Sequence, residues 1–222
     1  MKLPKPHVLT AIAFLSLAAS EAAANLIVNP GFEDPVTSDG APFVGSWEAF
    51  NGGAGSSSAN SAVMPRSGTQ SLRLSIINTD NTFAGAFQDV TGLSSGLGYT
   101  FSGWNASPST PLDLGVEVRI EWRNSVSDTE ISRTPNLIPL PSSLYSPFTL
   151  TAAVPVGADS ARLVYAIQTF SAGPGNNGTV FVDDTSFVAV PESSSSWILL
   201  GMGGLSLLVG NWIFRGRGLV GA

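Results

Sequence analysis

Residues 114–123 read Leu114-Gly115-Val116-Glu117-Val118-Arg119-Ile120-Glu121-Trp122-Arg123, and this stretch decides the fold. Every second side chain is apolar, and those between are small or charged. A strand points successive side chains to opposite faces, so a period of two sets one face against a core and leaves the other polar. The same alternation recurs on either side. Leu72, Leu74 and Ile76 interleave with Ser71, Arg73 and Ser75; Tyr99, Phe101 and Gly103 with Thr100, Ser102 and Trp104. Leu163, Tyr165 and Ile167 share a face further on. Val180 and Val182 share another, with Phe181, Asp183 and Thr185 opposite them.

Between these runs lie clusters of Gly, Ser, Pro and Asn at residues 51–60, 92–98, 107–111, 135–147 and 171–178. The first is read as a Gly/Ser-rich surface loop. No segment between the two ends sustains a 3.6-residue period. Short alternating strands at this spacing predict an all-β sandwich or barrel of nine to eleven strands. Residues 25–189 are expected to form one domain, without internal repeats. Trp47 and Trp122 are assigned to packing in its core or rim.

Composition narrows the chemistry. The chain has 222 residues, a formal net charge of −6 and no cysteine. That removes disulfides, thiolate metal sites and cysteine nucleophiles. Residues 25–190 hold six arginines, no lysine and fourteen carboxylates, a balance that offers nucleic acid no basic footprint. The only histidine is His7, so neither a Ser-His-Asp triad nor a histidine metal site is available beyond the leader. Glu117 and Glu121 alternate with Arg119 and Arg123, the pattern of a self-compensating stripe and not of an acid/base pair with separated pKa values. No catalytic residue is assigned, and the chain is expected not to be an enzyme.

Both ends read as sorting segments. Residues 1–24 have a basic start at Lys2 and Lys5, an apolar stretch from Val8 to Ala19 and small residues at Ala22 and Ala24. This is a secretory signal pattern with cleavage expected before Asn25, the alternative being an uncleaved N-terminal anchor. At the other end, residues 197–214 run 18 positions without a charge and are followed by Arg215-Gly216-Arg217. That length is just enough for a transmembrane helix. The arginines place its end in the cytoplasm and residues 25–189 outside it.

The tail's order is specific. Val190-Pro191-Glu192, four serines, the apolar run and Arg215 and Arg217 resemble a PEP-CTERM sorting signal over residues 190–217. Ser193 stands where that family has a second proline. The resemblance implies processing by an exosortase-type enzyme of Gram-negative bacteria that make exopolysaccharide. The protein would be held in the inner membrane for a time and then placed in the envelope or outside the cell. The alternative is a plain C-terminal anchor that is never processed.

Residues 25–188 resemble carbohydrate-binding-module-like jelly rolls of the galactose-binding superfamily. The motifs, in order, are Asn25-Leu26-Ile27-Val28-Asn29-Pro30-Gly31-Phe32-Glu33, Arg66-Ser67-Gly68-Thr69-Gln70-Ser71-Leu72-Arg73-Leu74, Phe87-Gln88-Asp89-Val90, Tyr99-Thr100-Phe101-Ser102-Gly103-Trp104 and Val180-Phe181-Val182-Asp183-Asp184-Thr185-Ser186-Phe187. The resemblance implies a structural calcium ion held by the Glu33 and Asp183 carboxylates with backbone carbonyls near Arg66. A mixed carboxylate and carbonyl shell is what calcium takes. The alternative is a hydrogen-bonded Asp183 with a solvated Glu33.

For binding, Gln88, Trp104, Arg119 and Arg162 are the candidates, since they alternate with core positions. On a curved sheet they would line one groove, Trp104 as an aromatic platform and the arginines as donors to an exopolysaccharide. The alternatives are an ordinary polar face on a matrix protein without a ligand and, less favoured, a carbohydrate-active enzyme.

Overall fold

The computed structural model describes residues 23–108, 112–170 and 177–191. They form ten strands: β1 (Glu48–Asn51), β2 (Ser56–Ser61), β3 (Ser71–Ile76), β4 (Phe83–Thr91), β5 (Gly98–Ala106), β6 (Gly115–Asn124), β7 (Thr129–Arg133), β8 (Ser146–Ala153), β9 (Ser160–Gln168) and β10 (Gly178–Ala189). Two five-stranded sheets pack face to face as a jelly-roll sandwich. The front sheet runs β1-β4-β9-β6-β7 and the back sheet β2-β3-β10-β5-β8, and the strand pairs are antiparallel. The proposed signal and transmembrane helices lie outside the described residues, among which no helix is long and apolar enough to cross a membrane.

The alternation sets the core as expected. Val116, Val118, Ile120 and Trp122 from β6 meet Leu163, Tyr165 and Ile167 from β9. Leu72, Leu74, Ile76, Phe101, Val180 and Val182 come from the back sheet. Trp47, also buried, packs against Phe32 with ring centroids 5.0 Å apart. Burying a large apolar side chain stabilises by about 1.5–3 kcal/mol, so this layer is the main favourable term.

Two local expectations are corrected. Residues 51–60 are not wholly a loop, because β2 begins at Ser56 and pairs with β3 along its whole length. Its sequence, Ser-Ser-Ser-Ala-Asn-Ser, carries no apolar alternation because this edge strand contributes nothing large to the core. Thr185 does not share a face with Phe181 and Asp183. The register of β10 on β5 shifts between Asp183 and Ser186, and Asp184 sits at φ 47°. One extra residue in a strand moves everything after it to the other face. Val182 before the bulge and Phe187 after it therefore both point inward.

Candidate ligand face and carboxylate cluster

The outer face of the front sheet carries the aromatic side chains that the alternation leaves out of the core. Phe83, Phe87 and Asp89 project from β4, Phe50 from β1, Arg162 from β9, and Glu117, Arg119 and Glu121 from β6. The rings form a row. Phe43 meets Phe87 at 4.9 Å between centroids, Phe87 meets Phe50 at 5.9 Å, Phe50 meets Phe83 at 5.8 Å and Phe83 meets Phe170 at 6.2 Å. Gly85 makes the row continuous. A Cβ there would lie 2.3 Å from Phe50 Cζ and 2.8 Å from the Tyr165 carbonyl oxygen, so only glycine lets the Phe50 ring lie across β4.

Two open depressions lie along this row. One, of about 340 Å³, is lined by Phe50, Phe83, Phe170, Glu117, Arg119, Ala166 and Gln168. The other, of about 170 Å³, is lined by Phe50, Phe87, Arg119, Glu121, Arg162 and Val164. Phe50 and Arg119 line both. A third depression, of about 240 Å³, continues past Phe43 and is walled by Pro42, Asp89, Arg123 and Asp128.

The polar groups beside the rings are held in place. Arg119 donates through Nε to Glu121 Oε1 at 2.8 Å, and its Nη1 lies 3.6 Å from Glu117 Oε2. Gln168 donates to Glu117 at 3.3 Å. Arg162 makes a two-pronged pair with Asp89 at 2.7 and 2.8 Å. Its guanidinium lies 4.2 Å above the Phe87 ring and 5.0 Å from that of Phe43. Burial disfavours the Arg162 charge, but the hydrogen bond and charge of Asp89 outweigh it and raise its pKa. Fixed donors and acceptors beside an apolar surface are the composition of a site for a ligand that is both hydroxylated and partly apolar.

The four proposed ligand residues are not brought together. Arg119 and Arg162 share the front face. Gln88 points inward, is fully buried, and uses its amide to accept from Val28 N at 2.8 Å and donate to Val28 O at 2.9 Å. It clips the amino-terminal segment onto β4 and is not available to a ligand. Trp104 lies on the outer face of the other sheet, opposite Asp183 in the β5–β10 register. Arg66 covers it at 3.8 Å.

Trp104 thus neighbours the other proposed site. Asp183 is fully buried and accepts from Arg66 N at 2.7 Å and Ser67 N at 3.2 Å on Oδ2, and from Asp184 N at 2.8 Å on Oδ1. Burial nonetheless pushes its pKa above the ordinary carboxylate value. Glu33 accepts from the Thr69 and Gln70 amides and from Thr69 Oγ1 at 2.7 Å; these bonds, the hydroxyl's first, hold its pKa down. Both carboxylates flank Gly31, whose added Cβ would lie 3.7 Å from Asp183 Oδ1 and 4.0 Å from Glu33 Cγ. Gly68, at φ 60°, lets Glu33 approach, since a Cβ there would sit 2.1 Å from Oε1.

Arg66 pairs with Asp184 through its side chain, and Ser67 Oγ donates to the same carboxylate. Tyr145 anchors this turn by donating to Met64 O at 2.5 Å, and burial pushes its hydroxyl up to about 12. Among the described residues no three His, Cys, Asp or Glu side chains converge as a metal cluster, so a cation here would rest on two carboxylates and on backbone carbonyls.

The Phe43–Phe87–Phe50–Phe83–Phe170 row is the feature that the alternation alone missed. Its one sequence signal is that Phe83 and Phe87 occupy the polar-face phase of a strand whose inward phase is Ala84, Ala86 and Gln88.

No protein-family model matches the sequence. No curated protein matches it either. Solved structures do match in fold. The enzymatically active domain of the bacteriophage CBA120 tailspike protein 4 superposes with a TM-score of 0.57 at 12% identity, over 75% of this chain and 21% of that one. The chain thus spans about a fifth of that domain's length. The CBM22-1 xylan-binding domain from Paenibacillus barcinonensis gives 0.54 at 16%, over 79% of this chain and 100% of the other. A sugar-binding protein, so described provisionally, from Bacteroides thetaiotaomicron gives 0.51 at 15%, over 75% and 100%. At these identities the likeness is one of fold: the described residues share a β-sandwich fold with these proteins.

Proposed function

We propose that this is an exported, non-catalytic surface or matrix protein that binds a polysaccharide along the outer face of its front sheet. The observation that carries the reading is the ring row with Phe50 and Arg119 common to two adjoining depressions. Aromatic rings accept the apolar face of a sugar, while Arg119, Glu117, Glu121 and Gln168 offer hydrogen bonds to its hydroxyls. The names of the two similar modules, one xylan-binding and one sugar-binding, support the same ligand class. The test is a glycan array followed by titration with the best polysaccharide. Wild-type protein binds, and Phe50→Ala weakens binding by about tenfold or more, the loss of one stacked ring at ~1.4 kcal/mol. A silent array removes the reading.

Sorting and calcium belong to the same proposal. The tail at residues 190–217 directs export and exosortase-type processing, with loss of the residues beyond about 190 from the exported protein as the mass signature. An intact exported chain makes the tail a plain anchor. Calcium joins Glu33 to Asp183. Support comes from the Asp183 Oδ1 atom, which is buried beside Gly31 and accepts a single bond, and from left-handed backbone at Asn29, Phe32 and Asp184 around it. A bulky residue such as Phe32 held at φ 55° is costly and is kept where the surroundings demand it. In the wild-type protein a chelator lowers the melting temperature; in Asp183→Asn it does not.

A further inference from the structure

Both described ends of the chain leave the sandwich at the same pole. Ala189 pairs with Tyr99 near the start of β5, and Val190 N donates to Gly98 O at 2.8 Å. At the other end, Leu26 N donates to Phe187 O, while Pro30 O accepts from Thr185. The amino-terminal segment therefore runs antiparallel to β10, and its earlier residues head toward Ala189. Beside residues 41–44, the loops at this pole are residues 92–97, 125–128 and 154–159. The last two are zipped together: Ser125 donates to both Asp159 oxygens at 2.7 and 2.8 Å, and Asn124 reaches Gly157 O. Their tips, Val126 and Val156, are 92% and 89% exposed.

From Pro191 to Trp197, where the 18-residue apolar run begins, a chain spans at most roughly 20 Å. The nine residues of β9 alone measure about 30 Å from pole to pole. The opposite pole, which exposes Ile138, Leu140 and Leu144, is therefore out of reach of a membrane entered at Trp197. We propose that, while the tail is inserted, the Val126/Val156 pole rests on the lipid surface and the front-sheet face stands upright on the bilayer. This inference rests on the tail being a membrane span. The Phe50–Phe83–Phe170 depression then lies at the end farthest from the lipid, open to polymer outside. Asp128 and Asp159 carry the charge of the two zipped loops and outnumber the neighbouring Arg123 of β6, so the anchor and shallow apolar contact hold the pole down, not attraction to anionic headgroups.

The chain has no cysteine, so one introduced thiol gives one labelled site. The full-length chain, carrying Val126→Cys, Val156→Cys or Leu140→Cys with an environment-sensitive dye, is reconstituted in phosphatidylethanolamine and phosphatidylglycerol vesicles containing a headgroup-level quencher. Labels at 126 and 156 should be quenched several-fold more than the label at 140, at low and high salt alike. Equal quenching at all three sites, or strongest quenching at 140, overturns the orientation while leaving the span intact. Failure of the protein to float with the vesicles instead removes the span, and the orientation with it.

Discussion

The two sheets of this sandwich obey the same alternation and end with opposite outer faces. The front sheet turns out rings and ion-paired polar groups, and nothing among the described residues covers the depressions along them. The back sheet turns out Phe181, Asp183 and Trp104, and the turn at residues 64–70 closes over two of them, burying Asp183 and stacking Arg66 on Trp104. An outward side chain is thus not yet a surface side chain. Whether it can meet a ligand depends on which loop folds over it, and that is a long-range fact: Arg66 and Asp183 are 117 residues apart.

The largest expected effect tests the covered face. Asp183→Ala strips the acceptor from three backbone N–H groups at once. Leaving them unpaired should destabilise the domain by about 3 kcal/mol, which lowers the melting temperature by about 6–12 °C for a chain of this size. Thermal unfolding measures it, and a shift below about 2 °C would show that solvent or another acceptor replaces the carboxylate.

The pH response sharpens the same point. The folded pKa of Asp183 is raised, chiefly by burial, so its contribution favours the fold below the ordinary carboxylate value and is lost as pH rises through the raised one. Glu33, with a lowered pKa, contributes in the opposite sense: its stabilisation is present above the ordinary value and lost as pH falls through the lowered one. The proposed calcium ion would bind the charged carboxylates and offset the Asp183 penalty at neutral pH. The gap in melting temperature between calcium and chelator should therefore be widest near neutrality and close on acidification. A gap that does not narrow in acid would contradict a carboxylate-held ion.

On the open face the expected effect is on affinity. Phe50→Ala should weaken polysaccharide binding by about tenfold or more while leaving unfolding almost unchanged, because the ring is only half-buried. Arg119→Met should weaken it by about three- to tenfold through loss of hydrogen bonds to the ligand. Isothermal titration against one polysaccharide separates the two. If both variants bind as tightly as wild type, the open face is not the site.

The alternation at residues 114–123 was enough to assign the core side of β6, and the same argument served β3, β5 and β9. It failed where its premise of one unbroken register failed: at the Asp183–Ser186 bulge and in β2, whose hydroxyl-rich sequence has no apolar phase. The carboxylates were legible as chemistry, since Glu33 and Asp183 do flank one glycine. The outer face of the front sheet was legible only in part. Arg119 and Arg162 were found because charge at a strand position facing away from the core is easy to recognise. Phe83 and Phe87 carry no such mark, because an apolar ring at an outward position looks like a core residue. Sheet membership decided the rest, and pairing partners 69 to 90 residues distant are not encoded in any local period.

The smallest expected effect discriminates most sharply between the two faces. Trp104 is the residue that composition alone makes the natural sugar platform, being a tryptophan at an outward strand position. Its ring is already covered by Arg66, whose guanidinium is in turn paired with Asp184. A sugar could stack there only by displacing that guanidinium, forfeiting a cation–π contact of about 0.5–1 kcal/mol before gaining anything. Trp104→Ala should therefore leave polysaccharide affinity within about twofold of wild type and cost the fold about 1 kcal/mol or less in unfolding experiments. If it weakens binding as much as Phe50→Ala is expected to, Arg66 must swing away on ligand binding, and the back sheet, not the front, carries the site.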